Sequence, residues 1–416
     1  MTGSVLSAPE NRPTLQITMG LSHQLWRYAL VLGSAQLAMS LWFWQFSIHL
    51  ESIIEPWQIG LTVSTGTLAL LIAYSFCGAL SDILGRKRTI ILALVPMIIG
   101  LVSLYLLPFW PLLPAAYGVF MLGRGMMIVM SRAIPADEIA ATSNTDPVKK
   151  FAMMLVPSYV SESIGPLAGG WLLAQGFSHE DLYLLGAAIA ALTLALAQVA
   201  VRESLASGLR TEARQSSRAA LREFGPTFWL MAGGMAGIYF AFKMAAPYFG
   251  NLSVGEWNMD IHIYAAAWSL YSAMCVLLSY VMSGLADRSR RLFLFAALSG
   301  NAVLMALFSI GSGTSLMFVL IAAWAAPQVV WVSAESSLVT DGVPSHRKGN
   351  ALSIYRLMMV STGLVASYVG SLIWTITGSL RFLYFLSSSI TACLLVLLAV
   401  AMSKMHLRPS RHHASS

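Results

Sequence analysis

Twelve stretches of predominantly apolar residues follow one another along the chain, at 25–48, 57–80, 89–108, 112–135, 152–176, 182–201, 227–249, 262–285, 292–311, 316–340, 350–374 and 380–403. Each is long enough to cross the hydrocarbon core of a bilayer, which takes about 20 residues of helix. Backbone at that depth has no water to bond to and must satisfy itself, so each stretch is read as a helix. Composition agrees: hydrophobic residues make up 57% of the 416 and charged residues 10%, against about 25% charged in soluble domains. Lipid is therefore the solvent for most of the chain, and the expected class is an all-α integral membrane protein.

Connections between the stretches are short except for the Ser- and Arg-rich segment Arg202 to Pro226, which divides the helices six and six. The expected organisation is a tail over 1–24, a six-helix bundle over 25–201, a linker over 202–226, a second six-helix bundle over 227–403 and a tail over 404–416. Lys and Arg fix the orientation, because they concentrate in cytoplasmic loops. With the N-terminus inside, 20 of the 25 Lys and Arg fall on the inner face and Arg381 alone on the outer, while Arg124, Arg132, Lys243 and Arg356 lie within spans. Both termini are thus expected in the cytoplasm, in a multi-pass protein of the cell membrane. The formal charge of +7 is spread as short clusters between apolar runs, a topology signal rather than a nucleic-acid footprint. The tail 1–24 lacks the apolar core of a cleaved signal peptide. Cys77, Cys275 and Cys393 each sit within an apolar run with no metal-ligand spacing, so no metal site or cofactor is expected.

Between the second and third spans lies Gly78-Ala79-Leu80-Ser81-Asp82-Ile83-Leu84-Gly85-Arg86-Lys87-Arg88, and a weaker copy, Ser283-Gly284-Leu285-Ala286-Asp287-Arg288-Ser289-Arg290-Arg291, follows in the second half. Gly85 allows a left-handed turn, and Gly78 lets a neighbouring helix approach closely. Asp82 can meet a helix N-terminus or an arginine, and Arg86 an acid on a neighbouring segment. Such contacts would latch two bundles together on the cytoplasmic face in one conformation and release them in another; the alternative is an anchor of positive charge with an incidental acid. Gly78, Leu80, Asp82, Gly85, Arg86 and Lys87 resemble, position by position, the loop signature of the major facilitator superfamily of secondary transporters. The resemblance implies two six-helix pseudo-repeats rocking about a central site, with Asp82 latching onto the start of the eleventh helix beside Arg356 and Arg86 meeting Asp137 or Glu138. In the fourth span, Gly123-Arg124 with Pro135-Ala136-Asp137 looks like the arginine-bearing motif of that family, Met127 and Ile128 replacing its usual Gln-Gly. In the fifth, Gly165, Pro166, Gly169 and Gly170 match the motif of its antiporter and exporter branches. There Pro166 kinks the helix, and the glycines admit a helix from the other half.

Ionisable groups at bilayer depth are functional candidates. Arg124 lies about 12 residues into the fourth span and Glu162 about 11 into the fifth, roughly mid-membrane at 1.5 Å per residue. The pair suggests a proton switch in which protonation of Glu162 frees Arg124 for an anionic group, or else a static structural pair. Glu335 and Arg356 lie at similar depth on the tenth and eleventh spans. Lys243 either contacts substrate or snorkels outward towards Glu256 or Asp260. Gln36, Trp42, Gln45, Tyr239, Trp268, Tyr271, Gln328 and Trp331 supply the aromatic walls and polar points of a cavity for an organic molecule, and four intramembrane cations against two acids tilt it positive. No phosphate-binding glycine loop, nucleophile–base set or ring of filter residues is present, so neither ATP, enzymatic chemistry nor a pore is the reading. The expectation is a monomeric secondary transporter of a small organic molecule, exporting it in exchange for protons. The alternatives are proton-coupled import of an organic anion or other metabolite and, behind it, a non-transporting receptor or channel of the same fold.

Overall fold

The structure is a computed structural model, and it describes residues 17–18, 21–141, 147–203, 224–286, 290–340 and 348–406. Twelve helical spans carry the fold. In the first half these are α1 (His23–Ser40, continued by a 3-10 turn Phe43–Gln45 and a short helix Phe46–Glu51), α2 (Pro56–Leu84), α3 (Arg86–Leu106), α4 (Leu112–Ala141), α5 (Pro147–Ala174) and α6 (His179–Ala200). The second half has α7 (Pro226–Ala245, continued by Ala246–Tyr248, Phe249–Asn251 and Leu252–Glu256), α8 (Ile261–Ala286), α9 (Arg290–Ile310), α10 (Thr314–Thr340), α11 (Lys348–Thr377) and α12 (Leu380–His406). Ten of these spans are long and apolar enough to cross a membrane by length and composition alone; the other two are the interrupted α1 and the Pro- and Ser-containing α5. Local sequence sets the starts. Ser22 accepts from the Leu25 amide at α1, and reciprocal capping boxes, Glu55 with Gln58 and Ser178 with Asp181, begin α2 and α6, satisfying amides a helix start leaves open.

Packing repeats between the halves. In the first, α1 lies against α5 and α6, α2 against α4, and α3 against α4 and α6; in the second, α7 lies against α11 and α12, α8 against α10, and α9 against α10 and α12. Across the halves α2 meets α11 and α5 meets α8, and the same pseudo-symmetry exchanges those two contacts. Small residues permit the close approaches, as they do wherever lipid removes the hydrophobic drive between helices.

Two spans read as continuous are broken. The first, expected over 25–48, leaves α-geometry after Ser40, and the seventh, expected over 227–249, does so at Ala246. The carbonyls freed in α1 are taken by indoles, since Trp42 Nε1 donates to Ala38 O at 3.1 Å and Trp44 Nε1 to Leu41 O at 3.0 Å. Glycines of neighbouring helices press on the break: a Cβ on Gly169 would lie 2.1 Å from Leu41 O, and one on Gly186 2.5 Å from Ala38 O.

Contacts between halves gather towards the face where α2 begins, the acidic face. Ser64 Oγ donates to Leu364 O at 2.7 Å, and Asn251 Nδ2 donates to Ser47 O at 2.8 Å and to Glu51 Oε2 at 2.7 Å. His262 Nδ1 lies 2.9 Å from Gly170 O; a carbonyl only accepts, so this nitrogen carries the proton. Towards the opposite, basic face, a Cβ on Gly78 would meet nothing within 4 Å. Among the described residues no helix approaches Gly78, contrary to the expectation.

Candidate functional site

Between the halves lies a cavity of about 490 Å³, within the ~300–1,000 Å³ typical of small-molecule sites. Its walls come from α1, α2 and α4 on one side and α7, α8, α10 and α11 on the other. Of the residues expected there, Arg124, Tyr239, Lys243, Trp268, Tyr271 and Gln328 line it. Gln36, Trp42, Gln45 and Trp331 do not. The break in α1 explains two of these: it turns Trp42 and Gln45, both fully buried, into the first half, where Trp42 packs edge-on against Phe120 and Tyr183. Phe43, Trp44 and Ser47 face the cavity in their place. Gln36 Nε2 turns to Ser40 Oγ at 3.4 Å. Trp331 is buried behind Phe242, ring centroids 5.3 Å apart. Tyr74, Tyr264 and Trp324 also line the cavity and were not singled out in the sequence, where their spacing is that of ordinary helix packing.

The two cations of the lining have different settings. Arg124 holds its guanidinium carbon 4.7 Å over the Phe43 ring, and its Nη1 lies 3.8 Å from the Met121 sulfur. Its Nε is buried with no hydrogen-bond partner among the described residues. Lys243 Nζ lies 5.5 Å from the Tyr239 centroid and 5.6 Å from that of Phe242. It does not snorkel to Glu256, whose carboxylate instead pairs with Arg381 at 3.5 Å and accepts from the first amides of α12. Glu162, on α5, stands outside the lining; the charge of Arg124 reaches it, but among the described residues no ion pair joins them. Glu335 accepts from the Tyr355 hydroxyl and feels the Arg356 charge without an ion pair. Towards the basic face, Tyr74 sits within electrostatic reach of Arg124, Arg132 and Arg356.

At the basic end, Arg86 is 7% exposed and each of its three guanidinium nitrogens donates a hydrogen bond. Nε and Nη2 fork onto Asp137 at 2.7 and 3.1 Å, and Nη1 reaches Asp82 at 2.8 Å and the Ser81 hydroxyl. Among the described residues every side-chain partner belongs to the first half, so Asp82 is held there by Arg86 and not by Arg356 or α11. Glu203, not anticipated, caps α3: its carboxylate accepts from the Arg86 amide at 2.8 Å and the Lys87 amide at 3.3 Å. Gly85, at φ 93°, makes room for it. Asp287 and the side chain of Glu138 lie outside the described residues. In the fifth-span motif, Gly165 and Gly169 receive Ser40 and Leu41 of α1, within their own half, and only Gly170 faces the other half, at Ala265 of α8. The expectation that all three admit a helix from the other half is corrected accordingly.

At the acidic rim, desolvation pushes the Glu51 carboxyl above its ordinary value; the Asn251 amide pulls it down and nearby Glu256 pushes it up again.

The model of the Major Facilitator Superfamily matches residues 28–255. No curated protein matches the chain in sequence. Among solved structures, the chain is similar to the nucleoside transporter NupG, at 15% identity and a TM-score of 0.73, covering 94% of this chain and 100% of that one. It is similar to the human organic anion transporter MFSD10 (TETRAN) at 17% and 0.61, covering 90% and 99%, and to a D-xylose–proton symporter at 14% and 0.68, covering 91% and 97%.

Proposed function

Since the chain belongs to the Major Facilitator Superfamily, we propose that it is a proton-coupled secondary transporter of a small organic molecule, in which the bundles 25–201 and 227–403 rock about the central cavity. The basic face is cytoplasmic, so the described state is open inward and sealed outward.

One observation carries the coupling. Arg124 faces the cavity while Glu162 stands behind it on α5, within reach of its charge. An ionised Glu162 draws the guanidinium away from the cavity; a protonated one releases it to an anionic group of the cargo. Proton and cargo then load together, and an inward proton gradient drives uptake. Export in exchange for protons is the second reading, favoured by the likeness of Gly165-Pro166-x-x-Gly169-Gly170 to the exporter motif. The charge of the lining, with Arg124 and Lys243 and no acid among the described residues, supports uptake over export.

Asp82 serves as the latch. When the cytoplasmic side closes, it exchanges Arg86 for the start of α11 near Arg356. The three structural neighbours, named for nucleosides, organic anions and a sugar carried with protons, are in keeping with a polar organic cargo.

The test uses proteoliposomes containing a pH-reporting dye and a panel of organic compounds. A transported compound should move protons in the wild type, whereas Glu162→Gln should exchange the compound without moving them. In inside-out vesicles an imposed pH gradient, acidic within, should deplete the compound for uptake and accumulate it for export. Proton movement undiminished in Glu162→Gln would remove the coupling role.

A further inference from the structure

Among the described residues the cavity lining holds two cations, contributed by opposite halves, and no carboxylate. Neither Arg124 nor Lys243 forms an ion pair with a described acid. Arg124 Nε is buried without a hydrogen-bond partner among the described residues. Unpaired cations at bilayer depth are unfavourable, and the ring faces of Phe43, Tyr239 and Phe242 offset only part of that cost. What would complete them is an anion, and in the described state Glu162 supplies none as an ion pair.

The rest of the lining says what kind of anion. Eleven of the 26 described lining residues are aromatic, far more than an inorganic ion needs and well suited to a ring. Trp268, Tyr271 and Trp324 form a run of tilted rings with centroids 5.2 and 5.7 Å apart. Such rings stack on a planar ligand through their faces. Rings alone could also hold an organic ammonium, but two fixed cations in the same lining repel one.

We propose that the cavity binds an aromatic organic anion, with its ring against Trp268, Tyr271 and Trp324 and its carboxylate, or an equivalent oxyanion, shared between Arg124 and Lys243. This rests on reading the cavity as the transport site and adds the chemistry of the cargo. An oxyanion held from both halves also interacts differently with states in which α4 and α7 stand nearer or farther apart, and a ligand needs such a difference to move the equilibrium.

The experiment is calorimetric titration of the full-length protein in lipid nanodiscs at neutral pH with three probes sharing one ring: naphthalene-2-carboxylate, its neutral amide and 2-naphthylmethylammonium. The carboxylate should bind at least tenfold tighter than the amide, and the ammonium most weakly. Arg124→Gln and Lys243→Gln should each shrink the ratio of carboxylate to amide affinity towards one, and Arg124→Lys should restore part of the preference. If a variant does not fold, the wild-type ranking decides alone. Equal binding of carboxylate and amide, ammonium binding first, or no binding of the carboxylate overturns the proposal. Proton-driven transport of other compounds without this preference would remove the cargo assignment and leave the function above intact; the preference without proton-driven movement would do the reverse.

Discussion

Replacing Gly85 with alanine tests how the loop between α2 and α3 is built. At φ 93° and ψ 162° this residue occupies a region that is essentially glycine-only, where a side chain costs about 1–3 kcal/mol. The new Cβ would also lie 2.2 Å from a Glu203 carboxylate oxygen, so that carboxylate must leave. It now satisfies the Arg86 and Lys87 amides at 2.8 and 3.3 Å, and losing a helix cap costs about 0.5–2 kcal/mol. Together the two effects put Gly85→Ala at roughly 1.5–5 kcal/mol. The second part is shared with Glu203→Gln, which weakens the same cap. Thermal unfolding of both single variants and the double variant, followed by tryptophan fluorescence in detergent, separates them. Because alanine already expels Glu203, the two losses should fall short of adding, with a coupling of about 0.5 kcal/mol or more. Strict additivity would mean that the Cβ does not displace the carboxylate. Unchanged stability of Gly85→Ala would refute the backbone reading itself.

Other perturbations probe the two gates. At the acidic rim, Glu51 binds its proton more tightly in the sealed state than as an ordinary solvated carboxylate. The sealed state therefore holds more protons, and raising the pH from the ordinary carboxylate range upward should favour opening. Distance measurements between spin labels across the acidic rim should show this shift, and Glu51→Gln should flatten it; a pH response unchanged in that variant contradicts the assignment. At the basic face, Asp82→Asn should insert and fold yet fail to cycle, so labels there would stay apart under all conditions; normal transport by this variant would end the latch idea. A Gly169→Val side chain has no space beside Leu41 O, where even a Cβ would lie 2.1 Å away. It should cost about 1–3 kcal/mol by overpacking and displace the α1 break, seen as lost transport in protein that still reaches the membrane.

How much of this was legible in the sequence follows from what each feature depends on. The bilayer demands a fixed length of apolar helix, so the spans could be read directly, and α3 or α8 differ from their expected limits by only a few residues. The breaks in α1 and α7 leave no such trace. An apolar run stays apolar whether or not its backbone changes geometry, which is why Trp42 and Gln45 were assigned to the cavity and Phe43 and Trp44 were not. The signal lay elsewhere, in two tryptophans two residues apart whose indoles take the freed carbonyls, and in glycines on α5 and α6 that admit the displaced backbone. Glu203 leaves no such signal, because a carboxylate in a charged linker looks like any other and its partner amides lie 117 and 116 residues away in the chain.

The breaks also connect the fold to its proposed work. α1 and α7 are equivalent by the pseudo-symmetry of the packing, and each leaves α-geometry where it passes the cavity, with Phe43, Trp44 and Ser47 on one side and Ala246, Pro247 and Phe249 on the other. The same two segments meet beyond the cavity, where Asn251 of α7 holds Ser47 O and Glu51 of α1. Cargo in the cavity and the seal above it are therefore carried by one pair of interrupted helices, and irregular backbone at this depth is tolerated where it lines a site. A ligand that shifts Lys243, one turn before the α7 break, acts on the backbone that carries Asn251. Coupling between binding and gating then requires no relay through the bundle interiors, because the site and the seal share their supports.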